Sequence, residues 1–314
     1  MEIDYKYTIC VLSITFNQAQ YIEEALNGFC IQQTNFPFVC VVVDDASTDG
    51  EQKVIAKYLE QHFNLDDDAT IRIEETDDYK MVFACHRENK NCFFAVYYLK
   101  YNHHSIKKTK EPYFSAWRND AKYVAECEGD DYWTDWKKLQ RQFDFMETHP
   151  ESSLCFHSHN ELFPNGNLIE SKPKRIKESY TPQDVILVGG GFMATNSMFY
   201  RCDYVKNEEK PDFWKNCPIG DLPIMLYLIN KGSFGYIDKP MSVHRAGAIG
   251  SWTSSQNDYV KKSRHYKAIL KMYDEYDVYT GYKYHSAIRR KKNANRVKHL
   301  KTFLRFWMGK FVKR

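Results

Sequence analysis

The residues of this sequence with the clearest chemical potential are two acidic clusters. The first is the pair Asp44 and Asp45, and the second is residues 128–131 (EGDD). Grouped carboxylates repel one another unless a cation compensates them, and Mg²⁺ or Mn²⁺ held by one or two carboxylates plus phosphate oxygens is the natural one. For either cluster alone, the alternative is a solvated turn with helix N-caps, where Asp and Ser are common.

The predicted elements around these clusters place them at one edge of a sheet. Apolar runs at residues 8–15, 38–43 and 70–74 alternate with helical patterns, which is typical of a parallel sheet with crossover helices. A fourth predicted strand, residues 123–127, leads directly into the second cluster. Because ligands bind outside the carboxyl ends of the strands in such a sheet, we expect both clusters above one crevice. Later runs predict strands over residues 153–157 and 192–201, and a helix around residues 222–231 that leads to residues 236–244.

Length and composition limit the class of protein. The chain has 314 residues, of which 43% are hydrophobic and 27% charged, as in an ordinary soluble globular protein. Its nine cysteines are an odd number without Cys-x-x-Cys spacing, which predicts reduced thiols rather than disulfides or a zinc site. The sequence has neither a secretory signal nor an apolar run of about 18 residues, so we expect a cytoplasmic protein that does not span a bilayer.

Two common nucleotide-binding signatures are missing. No Gly-x-Gly-x-x-Gly follows the first predicted strand, and no Walker pattern is present, so dinucleotide and P-loop binding are disfavoured and a phosphate site must depend on metal. The first 277 residues carry 32 basic and 41 acidic residues. This acidic body argues against nucleic acid as a partner.

The end of the chain has the opposite charge. From Val278 to Arg314 there are 12 Lys or Arg and no Asp or Glu. A helix over residues 296–313 would be typical of an interfacial helix lying on anionic lipid, which predicts peripheral association with the inner face of the plasma membrane. The alternative is a terminal helix that docks its apolar face on the body. The apolar side consists of Val297, Leu300, Phe303, Leu304, Trp307 and Phe311, and the basic side of Lys298, Lys301 and Arg305.

The chain resembles the family 2 glycosyltransferases of the GT-A fold, especially the bacterial surface-polysaccharide branch that carries EGDDYW. The matching segments are residues 13–17 (SITFN) with 21–26 (YIEEAL), 44–49 (DDASTD), 128–133 (EGDDYW) with 139–140 (LQ), and 220–223 (GDLP). The resemblance implies an α/β fold with a mixed, mainly parallel sheet and helices on both faces. It also implies a GT-A domain over residues 1–255, followed by a helical, basic, amphipathic extension over 256–314.

The resemblance further implies a donor site for a nucleotide-diphosphate sugar, with UDP favoured. Thr15, Phe16 and Asn17 would line the base pocket, and Asp45 would read the edge of the base. Glu128 would lie next to the ribose. Asp130 would bind Mn²⁺ or Mg²⁺, with Asp131 beside it as a second candidate ligand.

Asp221 matches the acid that serves as general base toward the acceptor hydroxyl. Displacing a nucleotide diphosphate requires neutralisation of the leaving phosphate, which a metal provides. A carboxylate on the opposite face of the sugar then deprotonates the attacking hydroxyl, and such a single displacement inverts the anomeric centre. Because Asp221 begins a predicted helix, an N-cap role is the alternative.

Three segments depart from the family pattern. His244 is displaced by three residues from the usual histidine position, and it is either a ligand of the metal or diphosphate or a structural histidine. Asn91 replaces the glycine of an Asn-x-Gly motif and is expected near the donor. The basic loop at residues 102–110 has the character of an insertion.

Together these features predict a metal-dependent, inverting hexosyltransferase that transfers a sugar to a glycan or lipid-linked acceptor in cell-surface polysaccharide synthesis. Two alternatives remain. A sugar nucleotidyltransferase would normally show a Gly- and Arg/Lys-rich loop after the first strand, which residues 13–20 lack. A non-catalytic scaffold of the same fold would bind nucleotide or glycan but would be indifferent to Asp221→Asn.

Overall fold

The centre of the fold is a set of four parallel strands. A computed structural model describes residues 5–66, 71–206, 209–217, 219–248 and 259–311. Every residue of the second strand is buried, as the interior of a parallel sheet covered on both faces requires. The four parallel strands are β1 (Tyr7–Thr15), β2 (Phe38–Asp44), β5 (Cys92–Leu99) and β6 (Ala121–Glu126).

Five further strands complete a nine-stranded mixed sheet. They are β3 (Arg72–Glu75), β4 (Tyr79–Cys85), β8 (Ser152–His157), β11 (Phe199–Arg201) and β12 (Ser233–Ile237). The order is β12-β8-β11-β6-β1-β2-β5-β4-β3. The prediction of a third parallel strand over residues 70–74 is wrong, because β3 is an exposed antiparallel edge strand. The parallel neighbour of β2 is β5, which forms a hairpin with β4 that the sequence analysis missed.

A second, four-stranded sheet has the order β10-β9-β13-β7. Its strands are β7 (Tyr132–Trp133), β9 (His159–Leu162), β10 (Leu168–Ser171) and β13 (Ser242–Arg245). Residues 236–244 contain the end of β12 and the start of β13, and of the strand predicted over 192–201 only β11 forms. The antiparallel pairing of β13 with β7 brings His244 beside the acidic cluster.

Helices cover both faces of the large sheet, as predicted. Alternate β1 and β2 residues, such as Val11 and Cys40, join one apolar cluster with Ile22 and Ile55, whereas their neighbours join another with Trp117. This alternation follows from the period of two along a strand. The helices of the domain are α1 (Ile22–Cys30), α2 (Glu51–His62), α3 (Glu111–Arg118), α4 (Lys138–Thr148), α5 (Pro182–Val188), α6 (Asp212–Lys215) and α7 (Asp221–Leu228).

The chain ends in two long helices, α8 (Tyr259–Tyr279) and α9 (His285–Phe311), which confirm the predicted C-terminal helices. Met272, Tyr273 and Tyr276 of α8 are buried in the same apolar cluster as Met225 and Leu226 of α7. The first of these helices thus shares the core of the domain. The predicted boundary at residue 255 lies outside the described residues. Among the described helices, none is long and apolar enough to cross a membrane.

Candidate functional site

The carboxyl ends of the parallel strands meet at one edge of the large sheet. In the strand register, Thr15 of β1 lies beside Asp44 of β2, which lies beside Tyr98 of β5. Leu12 of β1 pairs with Glu126 at the end of β6. Both acidic clusters therefore border the same crevice, as expected for the carboxyl ends of parallel strands. The loops that leave the sheet here are residues 16–21, 45–50, 100–110 and 127–131.

The three predicted base-pocket residues after β1 have different environments. Thr15 is buried, and its hydroxyl contacts both Gln18 Oε1, at 2.8 Å, and the Glu51 carboxylate. Phe16 is 38% exposed, which leaves part of an aromatic ring accessible at the crevice. The Asn17 side chain accepts the Thr48 N–H at 2.8 Å and so joins the loops after β1 and β2.

Two non-glycine residues of these loops have left-handed backbone conformations. Asn17 has φ of 54° and Ala46 has φ of 61°, each of which costs about 1–3 kcal/mol. Ser47 supports both, because its hydroxyl accepts the Asn17 N–H at 2.9 Å and its own N–H donates to Asp44 at 3.0 Å. Such strain persists only where the surroundings over-determine it, and it clusters at functional sites.

Asp45 is buried beneath the 102–110 loop. Its carboxylate accepts the N–H of His103 at 2.7 Å and of His104 at 3.1 Å, and pairs with Lys110 at 2.8 Å. The basic insertion is therefore ordered around this carboxylate. Recognition of the edge of the base by Asp45 stays a prediction. In this structure the Asp45 carboxylate already accepts hydrogen bonds from the protein.

Asn91 lies at the opposite end of the sheet from the crevice. Its carbonyl accepts the N–H of Phe38, where β2 begins, and its side chain donates to Thr34 O at 2.7 Å. The prediction that Asn91 lies near the donor is wrong. Asn91 directly precedes the parallel strand β5, so residues 100–110, which follow the carboxyl end of that strand, are the ones that lead to the crevice.

The carboxyl groups of Glu128 and Asp130 in the second cluster both have raised pKa values. Glu128 is exposed to solvent, yet neighbouring protein atoms desolvate it; this desolvation first, and then the charges of Asp130 and Asp131, raise its pKa to about 8. Burial first, then Asp131, raise the pKa of Asp130 to about 6. Asp221 also raises the pKa of Glu128. The structure thus brings these predicted site residues within electrostatic reach of one another.

Asp131 is a buried anchor for the second sheet. Its carboxylate accepts the Arg245 N–H at 2.9 Å, the Asn196 amide at 2.9 Å and His244 Nδ1 at 3.0 Å. The hydrogen bond to Asp131 raises the pKa of His244 to about 9. The role of Asp131 as a metal ligand stays a prediction, because these donors occupy its oxygens in this conformation.

Asp221 is the first residue of α7. Burial raises its pKa, while the backbone N–H of Leu222 and the charge of His265 on α8 lower it. The N-cap position itself is Gly220, which makes no side-chain cap. Asp221 is therefore a partly buried carboxylate within electrostatic reach of Glu128.

The residues present fit a metal only in part. Among the described residues, no group of three or more His, Cys, Asp or Glu side chains could hold a metal ion. Mg²⁺ bound with a nucleotide normally uses one or two carboxylates and takes its other ligands from phosphate and water. Asp130, whose neighbours raise its pKa, suits that arrangement, because a cation would relieve the repulsion. His244 can bind a metal only through Nε2, since Nδ1 is bonded to Asp131, and only after the loss of the Nε2 proton that its raised pKa favours.

Three residues of the site were not identified from the sequence. Glu51 is buried beneath the loop after β1, and Asn196 contacts Asp131 from 65 positions away. Arg245 packs between Tyr21 and Tyr132, with its guanidinium 4.8 and 4.6 Å from the two ring centroids. Arg245 directly follows His244 in the sequence and could have been suspected. The other two depend on tertiary contacts that leave no local signal.

Comparisons with known proteins support this fold. Residues 10–81 match the family model of glycosyl transferase family 2. The chain is similar to S. aureus TarS residues 1–349 in complex with UDP-GlcNAc, with a TM-score of 0.53 and 19% identity over 85% of this chain and 66% of that one. The complex of the same protein with UDP gives a TM-score of 0.50 and 17% identity, covering 85% and 65%. The fold is GT-A. The predicted fold class is confirmed.

Curated relatives extend the similarity beyond the residues of the family model. An uncharacterized protein of Mycobacterium tuberculosis strain H37Rv, Rv1520, is 29% identical over 252 residues, which cover 79% of this chain and 61% of the relative. The uncharacterized protein Mb1547 of Mycobacterium bovis matches to the same extent. The chain thus spans about three fifths of the length of the curated relatives it matches.

Proposed function

We propose that this chain is an inverting glycosyltransferase that moves a sugar from a UDP-sugar to a hydroxyl of a glycan or lipid-linked acceptor. The observation that carries the proposal is the position of the acidic segment 128–131, which follows β6 and contacts the end of β1, with Asp221 within electrostatic reach of Glu128. The match of residues 10–81 to a glycosyltransferase family and the GT-A fold support the same function.

In the proposed reaction, Asp221 is the general base. It takes the proton of the acceptor hydroxyl, whose oxygen attacks the anomeric carbon while the bond from that carbon to the diphosphate oxygen breaks on the opposite face. Such a single displacement inverts the configuration. Burial raises the pKa of Asp221, which makes its carboxylate a stronger base than an exposed one.

The donor is proposed to lie across the two acidic clusters. The exposed ring of Phe16 would stack on the base, with Thr15, Asn17 and Asp45 shaping the pocket. Glu128 would contact the ribose.

A divalent metal, Mn²⁺ or Mg²⁺, is proposed as the cofactor of the donor site. Asp130 and His244 Nε2 would hold it together with diphosphate oxygens, and it would neutralise charge on the leaving diphosphate. Asp131 would orient His244 through Nδ1, at 3.0 Å, or serve as a further ligand.

Titration calorimetry with UDP, with and without Mn²⁺, tests the donor site. We expect UDP to bind only with metal, and Asp130→Ala to weaken binding by at least about tenfold because the metal loses its carboxylate. Asp144→Ala removes a carboxylate of α4 outside the cluster and serves as the control. If neither UDP, GDP nor dTDP binds with any divalent metal, the glycosyltransferase proposal is wrong.

Asp221→Asn separates an enzyme from a non-catalytic scaffold. The amide cannot accept the hydroxyl proton, so we expect transfer or slow hydrolysis of a UDP-sugar to fall by about 10²- to 10⁴-fold. UDP affinity should stay within about twofold, because the base acts on the acceptor side. Unchanged turnover of a UDP-sugar by Asp221→Asn would remove this residue from the mechanism.

We further propose that α9 associates peripherally with anionic membrane, which suits a lipid-linked acceptor and surface-polysaccharide synthesis. Its apolar stripe, Val297, Leu300 and Leu304, is 54%, 57% and 48% exposed. The opposite side packs on the body, where Ile288 is buried and His299 stacks on Tyr266 of α8 at 4.0 Å. The side chains of Arg305, Trp307 and Phe311 lie outside the described residues. Exposure of the stripe favours the membrane over the alternative in which α9 docks its apolar face on the body.

Co-sedimentation with vesicles tests this surface. We expect the chain to bind phosphatidylglycerol vesicles but not phosphatidylcholine vesicles, and Leu300→Ser with Leu304→Ser to reduce binding by at least about tenfold, since each lost apolar side chain removes burial energy. Val278→Ser, at an equally exposed valine of α8 (61%), is the matched control. Dimers that disappear in the double variant, without vesicle binding by the wild type, would instead assign the stripe to a second copy.

A further inference from the structure

Glu51 is a buried carboxylate with three protein donors. It is the first residue of α2 and is fully buried. One oxygen accepts the Gln18 N–H at 2.9 Å and the Ser47 hydroxyl at 2.7 Å, and the other contacts the Thr15 hydroxyl. Burial raises the pKa of Glu51, and these hydrogen bonds oppose that shift. A single side chain thus joins the start of α2 to the loops after β1 and β2.

The contacts of Glu51 lead directly to the strained residues of the crevice. Ser47 connects Glu51 to Asn17, because the Asn17 N–H donates to the Ser47 hydroxyl at 2.9 Å. Asn17 then accepts the Thr48 N–H at 2.8 Å. The left-handed conformation of Asn17 is therefore held by a chain of hydrogen bonds that begins at the Glu51 carboxylate.

The same network touches the acidic cluster. A Cβ at Gly129 would lie 2.3 Å from Thr15 Oγ1 and 2.6 Å from Gln18 Oε1, the two side chains that lie next to Glu51. The Gly129 N–H donates to Ile14 O at 3.1 Å. Loss of the Glu51 carboxylate would therefore free side chains that pack against the segment between Glu128 and Asp130.

We infer that Glu51 is a positioning residue of the donor site: its carboxylate holds the loops after β1 and β2 in the geometry that receives the nucleoside part of the donor. The inference rests on the proposed function and deepens it. Glu51 is too deeply buried to touch the donor, so it acts through Thr15, Ser47 and Asn17. A purely structural role for Glu51 would lower stability without a selective loss of nucleoside binding.

Three variants separate the two roles. Glu51→Ala removes the acceptors, and we expect the Kd of UDP with Mn²⁺ and that of uridine alone both to rise about tenfold, or about 1.4 kcal/mol. Glu51→Gln keeps an acceptor for the Gln18 N–H, and the two hydroxyls can turn, so it should stay within about threefold of wild type. Leu59→Ala, on the buried face of the same helix, lowers stability without touching the loops and should leave both Kd values within about twofold.

Comparison with Asp130→Ala locates the effect. That variant should weaken UDP but not uridine, whereas Glu51→Ala should weaken both and should raise the KM for the donor more than it lowers kcat. If Glu51→Ala fails to fold, Ser47→Ala, which breaks the link to Asn17, should reproduce the loss. The inference is overturned if wild type binds UDP and Glu51→Ala binds it equally well, or if Leu59→Ala shows the same loss. If wild type binds no nucleotide, the proposed function itself fails and this inference with it.

Discussion

Gly129 is the residue of the acidic cluster that allows the closest approach of two loops. A Cβ there would lie 2.3 Å from Thr15 Oγ1 and 2.7 Å from Thr15 Cβ. Atoms at such distances must move apart, and Thr15 is held in place by Gln18 and Glu51. The spacing between Glu128 and Asp130 therefore requires glycine for steric reasons, whatever the chemistry of its neighbours.

Gly129→Ala should separate the loop after β1 from the acidic cluster. We expect a loss of about 1–3 kcal/mol in the free energy of unfolding from overpacking, and UDP binding weakened by about tenfold. Thermal unfolding and calorimetry measure the two effects. Gly190→Ala, at a glycine with no atom within 4 Å of the added methyl group, should change neither. A Gly129→Ala variant with wild-type affinity would show that the two loops move independently.

Lys138 is a buried lysine at the start of α4. Its Nζ lies 3.9 Å from the centroid of the Trp133 ring and donates to Gln142 Oε1 at 2.7 Å. Burial lowers its pKa to about 7. Below that pH both folded and unfolded chains carry the proton, and the folded state bears the full penalty of a buried charge. Between about pH 7 and pH 10 the unfolded chain binds more protons, so this group makes stability rise with pH.

Lys138→Met should abolish this pH dependence while filling the same space. We expect the variant to be more stable than wild type at pH 6 to 7, and wild type to regain roughly 2 kcal/mol relative to it by pH 9. Urea unfolding of both proteins across this range measures the difference. Lys137→Met changes an exposed neighbour and should show no such trend. A constant difference between wild type and Lys138→Met would mean that Lys138 keeps its ordinary pKa.

Among the elements, the 102–110 loop is unusual because three of its donors converge on one carboxylate, that of Asp45. Beyond the two N–H groups and Lys110 that bind Asp45, His103 is fully buried and contacts Tyr113 Oη at 3.0 Å. Lys108 pairs with Asp78 at 2.6 Å. The loop is therefore a fixed wall of the crevice rather than a flexible insertion.

Asp45→Ala should allow the 102–110 loop to open more often. Three lysines of the loop, Lys107, Lys108 and Lys110, are trypsin sites that we expect to be cut slowly in wild type and at least about tenfold faster in the variant, because local opening governs cleavage. Mass spectrometry of the fragments identifies the sites. Asp78→Ala removes the carboxylate that binds Lys108 and the Tyr101 hydroxyl but leaves the contacts of Asp45 in place, so it should have a smaller effect. Equal cleavage rates in wild type and Asp45→Ala would show that Asp45 does not order the loop.

The parts of the fold that were predicted are those with local signals. β1, β2 and β6 are continuous apolar runs, and the acidic residues that follow β2 and β6 identified the crevice. The β4–β5 hairpin was missed because the exposed strand β3 precedes it and was mistaken for the parallel neighbour of β2. The partners of Asp131 come from β13 and from Asn196, far along the chain, and no periodicity encodes such contacts.

At the scale of the whole molecule, the two C-terminal helices differ in how much the body depends on them. α8 contributes Tyr273 and Tyr276, both fully buried, to the core that also contains α7. The start of α9 is attached as well, through Ile288 and through Lys291, which donates to the Val188 carbonyl at 2.5 Å. Beyond residue 296 the exposed stripe begins.

Two truncations should therefore behave differently. A chain that ends at residue 255 leaves the α7 side of the core uncovered, and we expect it to be insoluble or unfolded, since several buried aromatic side chains at about 3–5 kcal/mol each are lost. A chain that ends at residue 296 should keep its cooperative unfolding and UDP affinity, but lose vesicle binding. Circular dichroism during heating and calorimetry measure both. A stable 1–255 fragment would establish the predicted boundary as a true domain limit.

The contacts of α9 with the body also determine how the exposed stripe is oriented relative to the crevice. Lys291 joins α9 to the end of α5, and His299 stacks on Tyr266 of α8, the helix that carries His265 beside Asp221. Because these contacts attach α9 to the body, a surface bound by the stripe would lie at a defined distance from the crevice. An acceptor confined to that surface would then search in two dimensions, and the hydroxyl that reaches Asp221 would be selected by its distance from the surface rather than by the affinity of a pocket.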